Sequence, residues 1–485
     1  MIQVPVHNSD ISILSLGETE GVLTKPNWSP YAARFLAVQT NMKSKCLLTL
    51  FLAGWCSINA PAQVVPDDAV ARSIDREYPS LLELYKHIHA HPELSLHEKA
   101  TAARIAEELR QAGFEVTTGV GGNGVVGVLR NGPGPTVLLR TELDALPIKE
   151  ETGLPYASTA TTQNGAGVQV PLMHACGHDV HMTVFVGTAR LLKQTQSQWR
   201  GTLVMMGQPA EEDGDGTTDM LKDGLYARFP RPDYCLAVHC RPDQPAGTVG
   251  WTEGPAHANV DSVDITIRGV GGHGAWPHDT KDPIVLAAET VMALQTIVSR
   301  ELKPGTPAVV TVGSIHGGSA HNVIPNEVKL QLTLRSYSDE VRLQTIAAIR
   351  RITHGLGLAA GLPENRLPVV QVLESEFSPV MVNDPALTRR VTQVFRAVFG
   401  ESKVLHRDPV MGAEDFGQLG RTQEKVPICM FWLGTVSEES VTESQRSGKP
   451  LPSLHSSLYA PLPEPSIKTG IRAMTAAFLE ITGKK

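Results

Sequence analysis

Between Val260 and Leu373 two short segments place their apolar residues mainly at alternate positions, and that pattern constrains the fold more than any other feature. VDSVDITIRG places Val263, Ile265 and Ile267 on one face, and EVKLQLTLR does the same with Val328, Leu330, Leu332 and Leu334. AVVTVGSI (Ala308–Ile315) and PVVQVL (Pro368–Leu373) read as two further strands of the same region. Such a period of two predicts strands buried on one side only. Helical segments run from Pro283 to about Leu302 and from Glu340 to about Leu356. The order is β-α-β-β-α-β, a ferredoxin-like module.

On either side the apolar runs are continuous rather than alternating. VVGVLR, TVLLR, TLVMMG, YCLAV and VPICMFWLG read as strands buried on both faces, separated by helical stretches such as Val180–Gln194, for which Asp179 suits the N-cap. That alternation predicts an α/β domain with a mostly parallel central sheet. A chain of 485 residues is long for one core. We therefore divide it into a first α/β part at 66–258, an inserted domain at 259–379, and a second α/β part at 380–485.

The N-terminus carries a different signal. Starting at Met42, MKSKCLLTLFLAGWCSINAPAQ has two lysines, an apolar stretch from Cys46 to Cys56, and a small-x-small site at Ala60–Ala62. This is the layout of a signal peptide over 42–62, which implies a secreted or periplasmic protein. The apolar stretch is too short to span a bilayer, so no stable membrane anchor is expected. Residues 1–41 read as an upstream extension without a fold of its own. Cys176, Cys235, Cys240 and Cys429 follow the cleavage site, too few for a disulfide scaffold at this size. A net charge of −7 with no basic block argues against a nucleic-acid partner.

Chemistry concentrates in MHACGHDVH, Met173–His181. Cys176 and His178 are two apart and would diverge by about 200° on a helix, so they converge only on a turn, which Gly177 permits. A thiol, imidazoles and carboxylates suit Zn²⁺, with Mn²⁺, Co²⁺ or Ni²⁺ as alternatives. A Cys–His nucleophile pair and a polar loop are the competing readings. Other strands also end in donors: TVLLR in Glu142 and Asp144, TLVMMG in Glu211-Glu212, YCLAV in His239. Ligands of open α/β sheets bind beyond the carboxyl ends of the strands, so these groups should meet on one rim. Of Glu211 and Glu212, one could bind metal while the other serves as general base.

The segments RTELDALPI, MHACGHDVH, QPAEED, AVHC, GVGGHGAWPH, HNVIP, MGAEDF and LHSSLY, in this order, resemble the M20 metallopeptidase family. The resemblance is greatest to its amidohydrolase branch of hippurate, auxin-conjugate and N-acyl-amino-acid hydrolases. It implies a zinc-peptidase-like catalytic domain holding two divalent metal ions, with Cys176, His178, Glu212, His239 and His455 as ligands and Cys176 bridging. It further implies the inserted domain as a lid, Glu211 as general base, His273 of that lid capping the oxyanion, and Asn322 and Arg335 holding the substrate carboxylate. Glu142 and Asp144 would support the ligands from behind, with Glu142 standing where the branch has aspartate. Trp276 is bulkier than the residue expected in its motif. The implied substrate is an N-acyl amino acid or a dipeptide, and dimeric relatives suggest a homodimer or higher oligomer through the lid.

Overall fold

The computed structural model describes residues 67–484. The signal peptide and upstream extension lie outside the described residues.

Continuous apolar runs become the centre of an eight-stranded sheet. Gly201–Gln208, Thr136–Glu142, Tyr234–Pro245 and Ile428–Val436 lie side by side and parallel. Gly124–Asn131 and Glu115–Val120 extend one edge antiparallel, and Val249–Trp251 with Val404–His406 complete the other. Two hydrophobic clusters form, one on each side of the central strands, so residues of both parities are buried. Fully burying one such side chain contributes about 1.5–3 kcal/mol.

The helix after MHACG begins two residues earlier than expected, at His178, and runs to Gln194. Its sequence suggests one buried face, but every residue from His178 to Ala189 is buried. The helices Asp67–Ala90 and Pro463–Thr482 pack on it while its other side meets the sheet. Asp179 is not its N-cap. Gly177 occupies that position with φ +85°, and Asp179 lies in the first turn.

The four strand segments between Val260 and Leu373 form a separate four-stranded antiparallel sheet in the order Ala308–Gly317, Glu327–Ser336, Asn259–Arg268, Val369–Val372. This is the strand order of a ferredoxin-like module, and Pro283–Thr296 and Asp339–Ala359 supply its helices. Val263, Ile265, Ile267, Val328, Leu330, Leu332 and Leu334 all enter its core, as their spacing requires. Chain entry and exit run side by side, because Gly254–His257 pairs antiparallel with Met381–Asn383. The architecture is a large parallel-centred sheet with a lid-like antiparallel subdomain.

Candidate active site

Three loops at the carboxyl ends of the parallel strands bring the metal-capable side chains together. The first is MHACGHD. Gly177 is required there: a Cβ at this residue would lie 3.0 Å from the Cys240 sulfur, besides the strain of its positive φ. The second is the Glu211-Glu212 turn, entered through Ala210 at φ +50°. The third is the LHSSLY loop, where His455 itself has φ +65°. Non-glycine residues in this region are uncommon and cluster at functional sites. Here two of the four described cases are at or beside a donor.

Each loop is tied to its neighbours. The His455 amide donates to the Ala175 carbonyl at 2.9 Å, which fixes LHSSLY against MHACGHD. The amide of Ala210 donates to Glu98 at 2.8 Å. One Asp144 oxygen accepts from the Glu212 amide at 2.9 Å and from Ser95 at 2.8 Å. His178 Nδ1 lies 2.8 Å from the Asp144 carbonyl, so Nδ1 carries a proton and Nε2 faces the turn.

Two donor groups share one atom. Cys176, His178 and His239 have ligand atoms within 4.8 Å of one another, and so do Cys176, Glu212 and His455. The Cys176 sulfur is 3.6 Å from His239 Nε2, and His455 Nε2 is 3.4 Å from a Glu212 oxygen. His178 Nε2 and Glu212 Oε1 are buried without a hydrogen-bond partner. Burial of an unpaired polar atom is costly, and two facing the same space point to a missing cation. The donor set, thiol, imidazole and carboxylate, fits two divalent metal ions that share Cys176.

Electrostatics agree. Burial pushes the Cys176 thiol well up, with Glu212 and Glu211 adding to it. An isolated thiol here is a protonated, poor nucleophile, which weighs against the Cys–His hydrolase reading. Burial holds Glu212 up at about 7, against the pull of His178. Glu211 rises further, through burial and then the Glu414 and Glu212 charges. Its carboxylate stands 3.7 Å from His178 Nε2. Burial also keeps His239 neutral, down at about 3.

Behind the donors lies a second layer of charge. Arg140 contacts Glu142, Glu414 at 2.8 Å and Asp415 at 3.1 Å, all four side chains essentially fully buried. Glu142 also meets His181 Nδ1 at 3.0 Å, and His181 Nε2 accepts from the Cys240 amide at 2.7 Å. His181 thus anchors the backbone beside His239. His89 sits between Asp179 at 2.6 Å and Glu150 at 3.0 Å. His174 is buried with neither ring nitrogen hydrogen-bonded.

The site opens into a cavity of about 890 Å³ whose lining includes Cys176, Glu211, Glu212, His239, His455 and Arg335. Arg335 is half-buried and forms no ion pair among the described residues. The other two lid residues are not brought there. His273 and Asn322 lie next to each other, with the Gly274 amide donating to the Asn322 carbonyl at 2.8 Å, but both are exposed and neither lines the cavity. Trp276 is likewise exposed, with its ring 4.7 Å from that of His273.

Residues 138–450 match the peptidase family M20/M25/M40. The chain belongs to this family. It is 35% identical over 364 residues to thermostable carboxypeptidase 2 of Saccharolobus solfataricus, covering 74% of this chain and 86% of that one. It is 36% identical over 356 residues to the N-acetyl-L-cysteine deacetylase of Bacillus subtilis, covering 73% and 80%. Among solved structures, a Bacillus subtilis protein described as a dinuclear metal binding peptidase from the M20 family superposes with a TM-score of 0.67. The two are 27% identical, covering 84% of this chain and 99% of the other. Family and donor clusters together make the protein a metal-dependent hydrolase.

Sequence reasoning left out the residues that hold the donors: Glu98, His89, Glu150, Arg140 and Glu414. Glu98 is buried at the end of the segment HPELSLHE, and its contact with Ala210 spans 112 residues and leaves no local signal.

Proposed function

We propose that the protein is a secreted or periplasmic amidohydrolase that cleaves the amide of an N-acyl or N-aroyl amino acid, releasing a carboxylic acid and the free amino acid. The observation that carries this reading is the pair of donor groups sharing Cys176 beside a carboxyl group, Glu211, in a cavity that also receives Arg335. The signal-peptide pattern beginning at Met42 supports export.

Cys176, His178, Glu212, His239 and His455 would hold two divalent ions, Zn²⁺ by donor preference or else Mn²⁺, Co²⁺ or Ni²⁺. When bound, they would supply electrophilic polarisation of the acyl carbonyl and acidify the attacking water. Glu211 takes the proton from that water and passes it to the nitrogen of the leaving amine. Burial raises the proton affinity of this carboxyl group, which suits it to accept and hold a proton. Glu142 and Asp144 orient the donors from behind. Arg335 offers paired N–H donors to the substrate carboxylate.

His273 and Asn322 complete the site from the lid, His273 by stabilising the oxyanion and Asn322 by holding the carboxylate. They reach it through closure or from a second copy. The exposed Ile284, Val285 and Met292 and the edge strand Ala308–Gly317 support a homodimer through this domain. Carboxypeptidase activity is the second reading, favoured by the named relative and by a cavity large enough for a dipeptide.

A panel of N-acyl amino acids, N-aroyl amino acids and dipeptides assayed with and without chelator tests the proposal. Turnover of the acylated substrates, abolished by chelator and restored by metal, is expected. Hydrolysis that survives complete removal of metal would overturn it, and preference for dipeptides would select the second reading.

A further inference from the structure

His181 closes the segment MHACGHDVH, and the proposed chemistry gives it no task. It is buried on the helix His178–Gln194 and does not line the cavity, so it meets no substrate. With Glu142 and His178 it forms a group close enough to hold a cation. Both of its ring nitrogens, however, are already engaged. Nε2 accepts from the Cys240 amide at 2.7 Å. A backbone amide can only donate, so Nε2 is the unprotonated nitrogen, and Nδ1 carries the proton toward Glu142, 3.0 Å away. No lone pair is left for a metal ion.

What His181 holds is the backbone of a donor. The strand Tyr234–Pro245 pairs with Thr136–Glu142 only as far as Arg140 and Ala237. Past that point the Cys240 N–H is taken by His181 rather than by the neighbouring strand. The peptide group joining His239 to Cys240 is planar, so holding its N–H also fixes the Cα that carries the His239 ring. The Cys240 carbonyl fixes the ring in turn, 2.9 Å from His239 Nδ1. A carbonyl can only accept, so Nδ1 carries a proton, and Nε2 faces the Cys176 sulfur at 3.6 Å. The far end of the chain is anchored as well. The second Glu142 oxygen meets Arg140, whose guanidinium also holds Glu414 at 2.8 Å.

We propose that His181 is a positioning residue for one of the two metal ions. It aligns His239 toward the ion held with Cys176 and His178, and it takes no part in holding the ion at Cys176, Glu212 and His455. This rests on the two-metal reading of the site given above. Of the two donor groups that share Cys176, only the first contains His239. The hydrogen bonds of His181 run to Glu142 and Cys240 and reach neither Glu212 nor His455. Removing a partner that orients a metal ligand from behind typically costs about 10–100-fold in metal affinity. Because the relay serves one group alone, that cost falls on one ion.

Titration of the metal-stripped protein with Zn²⁺, in competition with a chelating indicator, tests this without any turnover. The wild type should take up two equivalents. In His181→Phe one equivalent should bind as in the wild type and the other about 10–100-fold more weakly. His181→Gln, whose side-chain oxygen accepts in place of Nε2, should recover part of that loss. Glu142→Gln keeps an acceptor for the His181 N–H and should weaken the same equivalent by less than His181→Phe does. Hydrolysis of an N-acyl amino acid by His181→Phe should return as Zn²⁺ is raised, with KM for the substrate close to the wild-type value at saturating metal. A purely structural role would lower the melting temperature and leave the two affinities moving together. Two equivalents weakened alike, or both unchanged in the His181 and Glu142 variants, would overturn the proposal. Fewer than two equivalents in the wild type would overturn the two-metal reading itself, and this proposal with it.

Discussion

The rim of the large sheet and the hairpins of the lid carry the same kinds of side chain under opposite conditions. His178 on the rim is 1% exposed, its Nδ1 held by the Asp144 carbonyl, and its free nitrogen points at Glu211 and Glu212. His273 on the lid is exposed, and its ring nitrogen accepts only from the nearby Ala275 amide. The rim groups are immobilised before any substrate arrives, by bonds that cross from one loop to the next. The lid groups His273 and Asn322 stand exposed to solvent. The contrast separates the two tasks of such a site: binding cations and moving a proton need preorganisation, whereas enclosing the substrate needs freedom to move.

If that contrast holds, substitutions on the rim and on the lid should differ in kind. Glu211→Gln should keep its metal and its fold yet lose turnover by about 10²–10⁴-fold, measured as kcat beside metal content. Near-normal activity would remove Glu211 from the proton path.

Behind the rim, His89→Leu leaves Asp179 and Glu150 as buried carboxylates without their cation. Denaturant unfolding near neutral pH should show a loss of about 3–5 kcal/mol. The sign with pH is defined. Although burial pulls it down, His89 is held at about 10 by Asp179 and Glu150, so its contribution is full below 6.5 and lost as pH rises through about 10. Asp179 and Glu150 are lowered despite burial, chiefly by their hydrogen bonds to His89, so theirs is lost as pH falls through the acid range. The stability gap between wild type and variant should therefore shrink at both extremes.

On the lid, His273→Ala should lower kcat by roughly 10²-fold, as for removal of an oxyanion donor. Metal content and melting temperature should not change, because the side chain is exposed and its ring contacts, the Ala275 amide and the Trp276 ring, lie within its own loop. A shift in either would mean that the lid is wired to the rim. The smallest effect belongs to Arg335→Lys, which keeps the charge but loses the planar fork. KM should rise about tenfold with kcat little altered.

Much of this arrangement was legible before any coordinates. Strands with two buried faces and strands with one differ in period, so both sheets and the order of the lid module could be read from apolar spacing. Donors at the ends of those strands followed from the geometry of parallel sheets. The edge strand Glu115–Val120 was not legible, since only one of its six residues is buried and they carry no clear alternation. Asp179 misled because a helix-capping residue and a partner for a distant histidine look alike in sequence. Its bond to His89 joins residues 90 positions apart. The same holds for Arg140 and Glu414, 274 positions apart, whose pairing exists only in the folded chain.

The central claim is that Cys176 serves both donor groups at once. Metal bound per chain, measured by elemental analysis after equilibration with Zn²⁺ or Mn²⁺ and followed by hydrolysis of an N-acyl amino acid, tests it directly. Two equivalents and full activity are expected for the wild type, with at most one equivalent and no turnover for Cys176→Ala. Two equivalents retained with turnover intact in that variant would contradict the account.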